Sequence, residues 1–251
     1  MTGSHRKRVL LLAVLAGLAP AVLAPARGWA AQPVTGTGPN GAAGPVGAGE
    51  EFHYRWQLGN LVGYLAGLFL PRSGNGELTF RDDHNGHLLT ELVITSPDGH
   101  DGEYFRYGSE IDDRTLQPLR AWTSYFWRGR SKSKVKEIEQ KGVLDIVSGL
   151  YVIRRQLPQQ EQRLEIWSDG DIFPAAIIPR GREKRLIGGR PIDTLHYAIR
   201  PVSEPGRPRW KGKIDFWFAT DPAATPVEID ISRSLADVRL VLQSGMSPPA
   251  G

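Results

Sequence analysis

The chain has 251 residues, of which 31 are basic, 27 acidic and none cysteine, so it can form no disulfide, hold no thiolate-bound metal and carry no lipid on a lipobox cysteine. Four of the basic residues, Arg6, Lys7, Arg8 and Arg27, lie in the first thirty positions, where there is no acid. The rest of the chain therefore holds 27 basic against 27 acidic residues and lacks the positive field that a nucleic-acid binder needs.

Residues 1–30 read as a secretory signal. Arg6 to Arg8 form a charged start, Val9 to Leu23 an apolar run broken by Pro20, and Gly28-Trp29-Ala30 a small-residue site with cleavage expected after Ala30. The run is too short for a comfortable membrane span. A periplasmic mature chain without a transmembrane segment is expected. Residues 31–48 are Gly-, Pro- and Ala-rich and read as a flexible lead-in, and residues 246–251 as a tail. Residues 49–245 are long enough for one domain with a real core.

Within that domain, Phe52 to Trp56 alternates aromatic and polar residues with the two-residue period of a half-buried strand. Leu58 to Leu70, with Gly59, Gly63 and Gly67, reads as a bent second strand, and Pro71 with Gly74-Asn75-Gly76 as a turn. Glu77 to Arg81 and Leu88 to Thr95 are strands joined by a turn at residues 82–86. A turn at residues 98–102 leads to a strand from Tyr104 to Ile111, and a hairpin around Gly129 joins Leu119–Trp127 to Lys134–Glu139. Leu144 to Arg155 departs from the β pattern: Asp145 can cap a helix, Val147, Leu150 and Tyr151 share a face, and Arg154 and Arg155 suit its C-terminal end. Seven strand-like stretches follow, starting at Gln162, Ala175, Glu183, Leu195, Lys211, Pro226 and Val238. Arg180 to Arg185 reads as a turn between two of them. A dozen short strands, one helix and no βαβ rhythm predict a mainly β fold: a single antiparallel sheet curled into an open barrel or clam, with the helix at about 145–155 as plug or lid.

Several stretches resemble a family in this order: Gly49 to Trp56, Val62 to Gly67, Ile111-Asp112-Asp113 through Pro118, Leu144 to Arg154, Ile214 to Asp221, Thr225 to Ile229 and Val238 to Leu242. Their order, and above all the spacing of Asp145, Ser148, Tyr151 and Arg154, is similar to the exported bacterial domain-of-unknown-function family numbered 3108. The likeness runs over about residues 49–243. Ala219-Thr220-Asp221 departs from the family's more common Leu-Ser-Asp, and residues 58–74 form a longer segment than is usual there. The resemblance implies a periplasmic all-β domain of the half-barrel kind, analogous at the level of fold to lipoprotein carriers such as LolA. It implies no catalysis.

Asp145, Ser148, Tyr151 and Arg154 fall at three-residue steps. They read either as a structural lock, with Arg154 paired to a strand carboxylate, or as a polar stripe facing a ligand. A ligand set of Tyr151, Arg154, Arg155, Trp56, Trp122 and Trp217 would line a cavity with aromatics and meet an anionic group with arginine. Arg128, Arg130, Lys132, Lys134 and Lys136 alternate, so on a strand they point one way and form a basic face for phosphate headgroups or an acidic partner, or a solvated hairpin face. His84, His87 and His100 with Asp82, Asp83, Asp98 and Asp101 have the chemistry of metal ligands but no recognised spacing, so no metal site is assigned. Asp169/Asp171 and Glu228/Asp230 are carboxylate pairs that share strand faces. There is no Gly-x-Ser-x-Gly elbow, no catalytic set is assigned and no cofactor is expected. The sequence thus predicts a non-catalytic binding or carrier protein of the envelope, holding a lipid or other hydrophobic ligand. The alternatives are a scaffold for another envelope protein and, further off, a hydrolase.

Overall fold

Alternating burial along Glu50–Leu58 shows how the first strand forms. Phe52, Tyr54 and Trp56 are buried while His53, Arg55 and Gln57 are exposed, which is the pleat of a strand covering a core on one side. The computed structural model describes residues 49–59, 73–83, 85–96, 102–127, 129–233 and 236–243. The signal segment, the lead-in, the tail, most of the expected strand at 58–70 and the turn at 98–101 lie outside these.

Thirteen strands and one helix follow one another among the described residues. The strands are β1 (Glu50–Leu58), β2 (Ser73–Asp82), β3 (His87–Thr95), β4 (Tyr104–Asp112), β5 (Gln117–Trp127), β6 (Arg130–Glu137) and β7 (Val143–Leu144), then, after the helix α1 (Ile146–Gln156), β8 (Gln162–Ser168), β9 (Asp171–Ile187), β10 (Arg190–Pro201), β11 (Gly212–Ala219), β12 (Pro226–Arg233) and β13 (Ala236–Leu242). They form one sheet in the order β6-β5-β4-β3-β2-β1-β13-β12-β11-β10-β9-β8-β7. The sequence-remote β1 and β13 pair antiparallel near its middle, and the sequence neighbours β6 and β7 end up at opposite edges. The sheet is curled and open, as the strand pattern predicts, and its inner face packs on α1. Among the described residues, no helix is long and apolar enough to cross a membrane.

Three expectations change. Gly74-Asn75-Gly76 is not a turn but part of β2. The ring of Trp56 and the carbonyl of Thr95 occupy the space where a Gly74 side chain would stand, and Leu240 crowds Gly76, so these glycines serve close approach within the sheet. Arg180 to Arg185 is likewise strand: one long β9 replaces two short strands, and Gly181, at φ +98°, absorbs a register shift opposite His196 and Tyr197. Finally, β7 pairs parallel with β8, so β7-α1-β8 is a single crossover unit in an otherwise antiparallel sheet.

The helix is short but buried all round. Ile146 to Arg154 are all buried. Leu144, Ile146, Val147, Leu150, Tyr151 and Ile153 join Phe52, Leu78, Phe80, Ile111, Phe216 and Phe218 in one core. Gly149 costs helix propensity, but a Cβ there would stand 3.1 Å from Cδ1 of Ile199, so it lets α1 sit close to β10. Leu157 ends the helix in the left-handed region at φ 42°, directly before Pro158.

Candidate functional site

The four residues at three-residue steps hold α1 against separate parts of the sheet. Asp145 caps the helix: its Oδ1 accepts from the N–H groups of Val147 (2.9 Å) and Ser148 (3.3 Å), and its Oδ2 from the Ser148 hydroxyl (2.6 Å). The Asp145 N–H donates back to Ser148 Oγ at 2.8 Å, completing a capping box. One turn on, the Tyr151 hydroxyl donates to Asp113 in the β4–β5 turn. Arg154 is fully buried. Its guanidinium forks onto Glu50 of β1 at 2.6 and 3.2 Å, and its Nε donates to the carbonyls of Ala223 and Ala224 before β12. Its Cζ lies 5.2 Å from the ring of Phe52 and 5.3 Å from that of Phe80. The fork and the two rings offset the desolvation of a buried cation.

Burial pushes the Asp145 carboxyl above its ordinary value of 3.8, outweighing the hydrogen bonds from Ser148, Ser109 and the backbone that favour the anion. The folded state therefore holds this proton more tightly than the unfolded one. Its contribution to stability is full below pH 3.8, is lost as the pH rises through the folded pKa, and stays lost above it. Asp145→Asn is expected to keep the cap and flatten that part of the stability–pH curve. Asp145→Ala, which strands two buried N–H groups, is expected to cost about 1–3 kcal/mol at pH 7. Denaturant titrations of both variants from pH 4 to 8 measure this. A pH difference curve equal for wild type and Asn would show that Asp145 titrates normally.

The six residues read as a ligand set do not converge. Trp56, Tyr151 and Arg154 belong to the interior, where Trp56 donates to the Thr95 carbonyl at 2.7 Å. Arg155 is exposed beside the Tyr151 ring. Trp122 lies across Gly108 and donates to Glu91 at 3.2 Å, on the face of β3 opposite the core residue Leu92. Trp217 is also on the outer face, stacked on His196 at 4.4 Å and covered by Arg185 with Cζ 4.6 Å from the ring. Among the described residues, Ile146 to Arg154 are all buried, and most of their side chains join the core. A cavity of about 10 Å³ at the start of α1 is bordered by Tyr107, Trp122, Thr123, Asp145, Ile146, Trp167 and Ser168, the size of one water molecule. In the described residues α1 is therefore a plug.

The basic run is on the concave side. In β6, Arg130, Lys132, Lys134 and Lys136 stand opposite Trp127, Tyr125, Thr123 and Ala121 of β5, and Tyr125 stands opposite the core-packed Phe105 of β4. Arg128 lies outside the described residues. Arg130, Lys132 and Lys136 are exposed, while Lys134 leans on the β8–β9 turn at Gly170. Phe105, Tyr125 and Trp127 are half-buried and touch one another, with ring centroids 5.8 Å (Phe105–Tyr125) and 5.6 Å (Phe105–Trp127) apart. An aromatic shelf thus borders a row of cations at the edge of the sheet. Sequence reading found the cations. It missed Phe105, whose part in the shelf depends on β4–β5 register.

Of the histidines and aspartates weighed as metal ligands, only part can be placed. His84, Asp98, His100 and Asp101 lie outside the described residues. His87 instead meets Glu110, Nδ1 to Oε1 at 2.9 Å, and Asp83 at 3.4 Å. A second trio, Glu51, His53 and Glu77, brings ligand-type atoms together on an exposed stretch. Glu228 and Asp230 share a face and are bridged by Arg239, with Arg185 also paired to Glu228, and Asp169 stands in the β8–β9 turn at φ 55°.

These features define a curled, open β-sheet plugged by its own helix, with a basic and aromatic edge. No family model matches the chain, and no curated protein matches it. Distantly similar solved structures exist. A β-barrel-like protein of domain of unknown function DUF1849 from Brucella abortus aligns over 76% of this chain and 94% of its own, at 9% identity and a TM-score of 0.44. The hypothetical lipoprotein YmcC from Escherichia coli K12 aligns over 81% and 89%, at 10% identity and 0.36. The lipoprotein LppX from Mycobacterium tuberculosis aligns over 79% and 89%, at 14% identity and 0.29.

Proposed function

We propose that this chain is an exported, non-catalytic binding protein of the cell envelope that works from its surface, as a scaffold or adaptor for another envelope protein. The observation that carries this is the row Arg130, Lys132, Lys134 and Lys136 on the sheet's edge strand. Among the described residues none of the four has a carboxylate within ion-pair distance; the same holds for cations elsewhere such as Arg55, Arg163 and Lys213, and what sets the four apart is their alignment on one face of one edge strand. In a chain balanced in charge beyond residue 30, four unpaired cations aligned on one face are available to a partner. The periplasmic location rests on the signal read in residues 1–30. The non-catalytic reading is supported by Ser148, which is fully buried inside its own helix cap, and by carboxylates committed to ion pairs.

A second reading, a carrier for an anionic amphiphile, is favoured by the half-buried Phe105, Tyr125 and Trp127 beside the cations. An acyl chain would need a space of some 300 Å³ or more, so here it would lie along the shelf or displace α1. A photo-crosslinking residue at Ser133 on β6, with another at the exposed Leu186 as control, separates the two readings in intact cells. The scaffold reading expects a discrete protein adduct from Ser133 alone. Adducts from neither position, together with a stoichiometric lipid in native mass spectra of the purified mature chain, would replace it with the carrier.

A further inference from the structure

We infer that β6 is an acceptor edge for an extended acidic segment of the partner, which adds to the sheet as a further strand with Asp or Glu at alternate positions facing Arg130, Lys132, Lys134 and Lys136. This rests on the reading of the chain as a surface-binding envelope protein. Two independent features converge on it. First, β6 is the last strand of the sheet and pairs only with β5, so its other side presents unpaired N–H and C=O groups over eight residues. That is the template used in strand addition. Second, the cations recur every second residue on one face, about 6.8 Å apart along a strand. An added strand repeats its own side chains on one face at the same interval, so alternate carboxylates meet the cations one to one.

The same geometry disfavours other occupants. A second copy adding through its own β6 would set one cation row against another, because antiparallel partners share a face. Lysines also guard sheet edges against such self-association, and the row does that here. A guard alone does not require four aligned charges. A membrane would meet a convex or flat basic patch, whereas this row lies on the concave side, with Lys134 tucked against the turn at Gly170.

The test uses the purified mature chain and four labelled nine-residue peptides, read by fluorescence anisotropy at two salt concentrations. One peptide alternates Glu and Thr, one has the same composition with its Glu residues clustered, and two are the alternating peptide N-methylated on the amides of one edge or of the other. The alternating peptide is expected to bind at least tenfold more tightly than the clustered isomer. Methylation of the edge that pairs with β6 is expected to abolish binding, and methylation of the other edge to leave it intact. Lys132→Glu with Lys136→Glu is expected to weaken binding at least tenfold at an unchanged melting temperature, since both side chains are exposed. Equal binding of the two isomers, insensitive to methylation, would reduce β6 to a nonspecific basic patch and overturn the inference. So would phosphatidylglycerol vesicles that bind through the same lysines and exclude the peptide. If the peptides fail while the Ser133 crosslink still captures a protein, the scaffold reading stands and strand addition falls. If both fail, the scaffold reading falls as well.

Discussion

Replacing Arg154 with alanine is expected to cost about 3–5 kcal/mol of folding stability, because it breaks a buried pair and strands its partner. Arg154 is the one arginine with no exposed surface among the described residues. It holds together three parts of the chain far apart in sequence: Glu50 in β1, the Ala223 and Ala224 carbonyls before β12, and α1 itself. The substitution also removes the packing partner of Phe52 and Phe80. Arg154→Met keeps volume without charge and is expected to lie between wild type and alanine. In an Arg154→Met, Glu50→Gln double variant no unpaired charge remains, so it is expected to recover stability over Arg154→Met alone. Urea denaturation of the four proteins decides this. A loss below about 1 kcal/mol for Arg154→Ala would mean that the pair contributes no more than a surface ion pair.

That prediction also shows what was legible in the sequence. The spacing Asp145, Ser148, Tyr151 and Arg154 located the helix, and the capping chemistry of Asp145 follows from residue type alone. The partners of this stripe did not follow. Glu50, Asp113 and the carbonyls at residues 223 and 224 are 104, 38 and 69–70 residues away from the side chains they meet, and only the closed fold brings them together. The strand residue Glu50 and the turn residue Asp113 nevertheless both meet α1, through Arg154 and Tyr151. Aromatics were the least legible. On a strand the face of a tryptophan depends on parity and register, so Trp56, in an alternating strand, lies inside, whereas Trp217, between Phe216 and Phe218 in an apolar run, lies outside. An inward aromatic also says nothing about a cavity: Phe52 and Phe80 point inward and are covered by Arg154 and Tyr151 of α1.

Glycine was misread for a related reason, and the error yields the second large effect. Gly-Asn-Gly between apolar runs has the composition of a turn, yet Gly74 and Gly76 sit within β2 with side-chain-sized space taken by neighbours. A Cβ on Gly74 would lie 2.2 Å from the Thr95 carbonyl oxygen and 2.3 Å from Nε1 of Trp56. The same two groups are hydrogen-bonded to each other, so neither can yield without breaking that bond or displacing β3. Gly74→Ala is therefore expected to destabilise the fold by about 3 kcal/mol, at the upper end of the usual range for overpacking. A true turn glycine would behave differently. Gly129 has φ +71° and open space around its Cα, so Gly129→Asn, a residue that tolerates the left-handed region, is expected to cost well under 1 kcal/mol. Thermal unfolding of the two variants side by side separates the roles. If Gly74→Ala were as mild as Gly129→Asn, Trp56 would have room to move, and the tight β1–β2–β3 packing that carries Trp56 into the core would not hold.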